Sequence, residues 1–82
     1  MTTIKFFGGD LGGETMLVRC DLTQAAAPIQ VDYDNEGWTH CHYQCADTGH
    51  RRAGLVEIGK EIAARAVGIK AEEFDCEWEE VQ

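Results

Sequence analysis

The first half of the chain is built from short apolar runs in which hydrophobic and polar positions alternate. Residues 3–7 (Thr-Ile-Lys-Phe-Phe) and 15–22 (Thr-Met-Leu-Val-Arg-Cys-Asp-Leu) carry the β-branched and aromatic content of strands. Between them lies Gly8-Gly9-Asp10-Leu11-Gly12-Gly13, whose glycines permit the positive φ angles of a hairpin loop. A connector from Thr23 ends at Pro28, the only proline, and residues 29–34 (Ile-Gln-Val-Asp-Tyr-Asp) then alternate with period two. Asn35-Glu36-Gly37 is a turn signal that leads into a fourth strand, Trp38 to Cys45.

From about His50 to Val67 the period lengthens to that of a helix. Asp47 or Thr48 is placed to cap its start, Gly68 stands where a helix-ending glycine belongs, and Ile69 follows as the usual apolar contact. Leu55, Ile58, Gly59, Ile62, Ala63 and Ala66 fall on one face. A glycine in mid-helix costs about 1 kcal/mol relative to alanine, so Gly59 predicts a close approach of the helix to a sheet. Phe74 to Val81 alternates again and reads as a fifth strand. The order ββββαβ predicts an α+β two-layer sandwich, a mainly antiparallel sheet with one helix packed on one face, in a single domain spanning 1–82.

Strand parity sorts the side chains. Met16, Val18 and Cys20 oppose Thr15, Leu17 and Arg19; Ile29, Val31 and Tyr33 oppose Gln30, Asp32 and Asp34; Phe74, Cys76 and Trp78 oppose Asp75, Glu77 and Glu79. If Thr39, Cys41, Tyr43 and Cys45 also face inward, the open face carries Asp32, Asp34, Trp38, His40, His42, Asp75, Glu77 and Glu79.

Charge changes the picture more than composition does. The net charge is −8 on 82 residues, which disfavours direct binding to a phosphate backbone or to an anionic membrane and favours basic protein partners. It is unevenly spread: residues 1–50 carry −5, residues 51–70 carry +3, and residues 71–82 carry −6. No signal peptide or membrane-spanning run is visible, so the expectation is a cytoplasmic protein with reduced cysteines.

Thr39-His40-Cys41-His42-Tyr43-Gln44-Cys45, followed by His50, holds residue types that ligate zinc. Parity separates the strand histidines from the cysteines, and the C-x3-C spacing lacks a second pair. Two metal sets survive as alternatives: His40, His42 and His50, or Cys20, Cys41, Cys45 and Cys76. The thiol set needs a bend, because Cys41 and Cys45 would lie roughly 13 Å apart on an extended strand. The primary expectation is no metal and no cofactor, with the cysteines acting as small buried hydrophobes. No phosphate-binding loop, nucleophile elbow or H-E-x-x-H pattern occurs, and the glycine-rich loop lacks the Lys of a phosphate cradle. The chain is therefore expected not to be an enzyme.

Asp75, Glu77 and Glu79 would project in one row, spaced roughly 6.5–7 Å, close to the spacing of successive phosphates. Asp32 and Asp34 repeat that geometry, Glu80 adds charge beside it, and Trp38 with Tyr33 would supply an aromatic anchor. In size, in its ββββαβ order and in the tail Glu72-Glu73-Phe74-Asp75-Cys76-Glu77-Trp78-Glu79-Glu80, the chain resembles the small acidic proteins that phages encode to disable host defences, anti-CRISPR proteins in particular. That group shares no common motif, so no functional residue carries over. The resemblance implies a non-enzymatic inhibitor in the host cytoplasm, docking on a CRISPR effector or another nucleic-acid-handling complex by nucleic-acid mimicry. The alternative readings are a small zinc-binding structural module and a homodimeric adaptor subunit that pairs through an edge strand.

Overall fold

Five strands and one helix form in the order expected: β1 (Thr2–Phe7), β2 (Thr15–Cys20), β3 (Pro28–Asp34), β4 (Trp38–Gln44), α1 (Arg52–Val67) and β5 (Glu77–Val81). This computed structural model describes residues 1–24, 27–34, 38–44 and 52–81, and the side chains of 1–24, 27–33 and 54–81. The Asn35–Gly37 turn, the capping candidates Asp47 and Thr48, and the ligand candidates Cys45 and His50 lie outside the described residues.

The strands make one antiparallel sheet in the order β4-β3-β2-β1-β5. Three consecutive hairpins build the first four strands, and the helix carries the chain back across the sheet so that β5 joins β1. Alternation then delivers Ile4, Phe6, Met16, Val18, Cys20, Ile29, Val31 and Tyr33 to one face, where all are buried. The helix covers that face with Leu55, Val56, Ile62 and Ala63, while Leu11 closes one end of the core. The architecture is the two-layer α+β sandwich that the sequence predicts.

Gly59 is buried at the centre of the helix–sheet contact. A Cβ there would meet two ring carbons of Phe6 at 2.4 Å and a Val18 methyl at 3.4 Å. The glycine therefore sets how closely the two layers approach. Ala66, expected on the buried face, is exposed in the last helical turn, whereas Val56 and Ala64 are buried. Ala64 is shielded because the chain folds back over it: the Ile69 N–H donates to the Ala64 carbonyl at 2.9 Å and the Gly68 N–H to Arg65 at 3.3 Å. Gly68, at φ 77°, makes that reversal without strain.

Two strand boundaries differ from the sequence pattern, each for a local reason. β2 stops at Cys20 because Asp21 turns the chain, its carboxylate accepting from the Thr23 N–H at 3.0 Å and hydroxyl at 2.6 Å, and from the Gln24 amide at 3.0 Å. These bonds, chiefly from Thr23, hold the Asp21 carboxyl below the usual range. β5 begins at Glu77 and not at Phe74, because Ala71–Glu73 closes a 3₁₀ turn and Asp75 is held by the first loop. Among the described residues, no helix is long and apolar enough to cross a membrane.

Candidate functional site

The Gly8–Gly13 segment does more than reverse the chain. Gly8, Gly9 and Gly12 all take positive φ, and Gly9–Leu11 winds into a 3₁₀ turn. The Asp10 N–H donates to the Asp75 carbonyl at 2.8 Å, and the Asp75 N–H donates to the Asp10 carboxylate at 2.9 Å. Gly9 lies so close beneath this reciprocal pair that a Cβ would stand 2.3 Å from the Asp75 carbonyl oxygen. The glycine loop is the seat on which the C-terminal segment enters the sheet.

That entry makes β5 an edge strand with every residue exposed. Its register against β1 sets Glu77, Glu79 and Val81 opposite Phe7, Lys5 and Thr3, on the face away from the helix. Trp78 and Glu80 stand opposite Phe6 and Ile4, on the helix side. The helix packs chiefly over β1 and β2, so Trp78 keeps 42% of its surface exposed and Val81 keeps 40%. Five consecutive positions thus present three carboxylates and a half-exposed indole, two of the carboxylates on the open face and the third on the indole's side.

The predicted acidic residues do not form one patch. Asp75 lies before β5 and its backbone is tied to Asp10, so the expected row of three carboxylates is a pair, Glu77 and Glu79. Glu80 projects to the opposite face from that pair. Asp32 belongs to the same cross-strand row as Glu79, but Leu17 and Lys5 intervene, a separation of roughly 14 Å at ordinary strand spacing. Asp32 is also engaged by the Arg19 guanidinium in an ion pair across the β2–β3 ladder. Asp34 and Trp38 are register partners at the far end of β3 and β4, and their side chains lie outside the described set. Tyr33 is no surface anchor: it is buried and its hydroxyl donates to the Glu14 carboxylate. Lys5 sits 5.5 Å from the Phe7 ring centre, so the open face mixes cations, acids and apolar groups.

The thiol metal set fails on position. Cys20 lies at the Thr2 end of β1 and Cys76 just beyond its Phe7 end, roughly 20 Å apart along the strand. Two sulfurs on one zinc must each lie about 2.3 Å from it, so these two cannot share an ion. Cys20 is buried with its thiol 3.9 Å from the Ala27 carbonyl, and Cys76 is buried beside the first loop. Burial pushes the Cys76 thiol up, despite the opposing influence of Lys60, so it stays protonated at neutral pH. His40 and His42 pair in register with Asp32 and Gln30, and their side chains lie outside the described set.

Trp78 is the residue whose role parity alone misses. Its inward position is legible, but its exposure depends on β5 being an edge that the helix does not reach. Comparison with models of known protein families, with curated proteins and with solved structures returns no match to this chain.

Proposed function

We propose that this protein is a non-catalytic, acidic binding domain that docks through β5 on a Lys/Arg-rich surface of a nucleic-acid-handling protein and obstructs that surface. One observation carries the reading: the edge strand β5 exposes Glu77 and Glu79 on its open face and Glu80 with the half-exposed Trp78 on the other. Buried aromatic anchors supply much of the energy of protein interfaces, and complementary charge speeds encounter and fixes register. Residues 71–82 carry six acids and no base, which makes this segment the most acidic of the chain. The resemblance to phage anti-CRISPR proteins makes CRISPR effector complexes the first partners to examine.

The test titrates purified protein into a panel of such effectors while target-DNA binding is followed by gel shift. The wild-type protein is expected to reduce target binding by at least one effector. A Glu77→Lys/Glu79→Lys variant, shown folded by circular dichroism, is expected to need at least about tenfold more protein for the same effect. Equal inhibition by the folded variant rejects β5 as the docking surface. Protein that binds an effector without displacing target rejects obstruction.

A further inference from the structure

Only β1 pairs with β5 among the described residues, and the opposite side of β5 is the edge of the sheet. In an antiparallel ladder alternate residues direct their N–H and C=O groups toward the neighbour, so the remaining residues of β5 direct theirs outward. Such an edge is a template for one more strand unless it is blunted by brevity, proline, a bulge or a cover. β5 has five residues, an ordinary strand length, and contains no proline. Its register runs unbroken from Thr3↔Val81 to Phe7↔Glu77, so there is no bulge. What guards it is charge of a single sign. An antiparallel second copy centred on Glu79 would set that carboxylate against its own equivalent and Trp78 against Glu80, so self-pairing is repelled. A cationic strand is attracted by the same charges.

We propose that β5 accepts an extended basic segment of a partner protein as a sixth strand, and that the segment carries the local pattern basic–apolar–basic. This rests on the docking reading above and specifies its mode. On the open face, Lys or Arg residues two apart stand beside Glu77 and Glu79, and Glu79 is then flanked by a cation on each side because Lys5 is its β1 neighbour. On the helix face, the intervening apolar side chain packs on Trp78, extending the pair that Trp78 makes with Phe6. Main-chain hydrogen bonds supply affinity, and the alternating side chains supply selectivity. The pattern reads the same in either direction, so it suits an antiparallel or a parallel addition.

The experiment is an NMR titration of the intact protein with the blocked peptide Gly-Thr-Lys-Val-Lys-Thr-Gly. Two analogues of identical charge are N-methylated on alternate residues, one on each backbone edge of the peptide. The parent is expected to shift the β5 amides saturably and to slow their hydrogen exchange. One methylated analogue is expected to bind at least about tenfold more weakly, and the other to bind like the parent, since only one edge of an added strand faces β5. A Trp78→Ala variant is expected to weaken the parent without abolishing its charge-driven encounter. Equal binding by both analogues, equal loss in both, or shifts that miss β5 overturn strand addition. Equal binding by both together with loss in the Glu77→Lys/Glu79→Lys variant leaves charge-driven docking intact. No saturable binding of the parent overturns the inference whatever the effector assays show.

Discussion

At Gly59 the distance between the two layers is set by one absent methyl group. The Phe6 ring that a Cβ would strike at 2.4 Å is fully buried, with Met16 and Val18 in the same core. Gly59→Ala would gain about 0.5–1 kcal/mol of helix propensity. Overpacking costs about 1–3 kcal/mol, so a net loss is expected, read as a lower denaturant midpoint with unchanged slope. Adding Phe6→Leu should recover part of that loss. A Gly59→Ala protein as stable as wild type would show that the layers separate freely. This glycine's role is legible in the sequence, because its helical position and its cost there leave close approach as the natural reason for it. The exposure of Trp78 is not legible in the same way. Parity assigns a side chain to a face, but whether that face is covered depends on how far the helix reaches across the strand order. Nor does the sequence show that Asp32 is engaged by Arg19, since the pair is diagonal in a register that only the folded ladder defines.

At the scale of elements, the first loop and the last strand behave as one unit. Asp10 and Asp75 exchange two hydrogen bonds across 65 residues of sequence, and Gly9 gives the backbone room to do so. Cys76 is a natural reporter of this junction, since it lies within it and is only 7% exposed. Asp10→Ala removes the acceptor for the Asp75 N–H, worth about 1.5–3 kcal/mol for a bond to a charged group. Part of that is returned by solvation of the exposed backbone. The variant is expected to label at Cys76 several-fold faster with a thiol reagent, while Cys20, at the other end of β1, is unaffected; peptide mass mapping separates the two. Equal acceleration at both thiols would mean that the whole domain loosens and not the junction. The sequence pattern ran β5 back to Phe74 because alternation continues through residues 74–76. Nothing in that alternation shows that Asp75 is committed to a loop near the N-terminus.

At the scale of the molecule, residues 71–82 carry −6 and residues 51–70 carry +3, and the β5 edge holds three of the acids. An edge of this charge is expected to repel a second copy of itself. Sedimentation at pH 7.5 is expected to show monomers, with self-association growing as the pH falls toward the isoelectric point near 4.6 and the carboxylates take up protons. A stable dimer at pH 7.5 that a Glu79→Lys variant leaves unchanged would place a self-interface somewhere other than β5. The overall α+β layering is legible from periodicity because β1, β2, β3 and the helix each bury one stripe. The separation of the β3 and β5 acids is not, because strand order across the sheet is a property of the tertiary fold.

The meeting of β1 with β5 has a kinetic consequence. Every other strand pairs with its sequence neighbour, so those three hairpins can zip locally, whereas Phe7 must wait for Glu77. Closing so long a loop carries an entropic cost that the local hairpins never meet. A sheet built from those hairpins alone would have β1 as its margin, with Lys5 at the position that Glu79 pairs with in the complete sheet. The negative rim is thus expected to form late, with the long-range β1–β5 pairing, so that the surface proposed for binding would mark the completed fold.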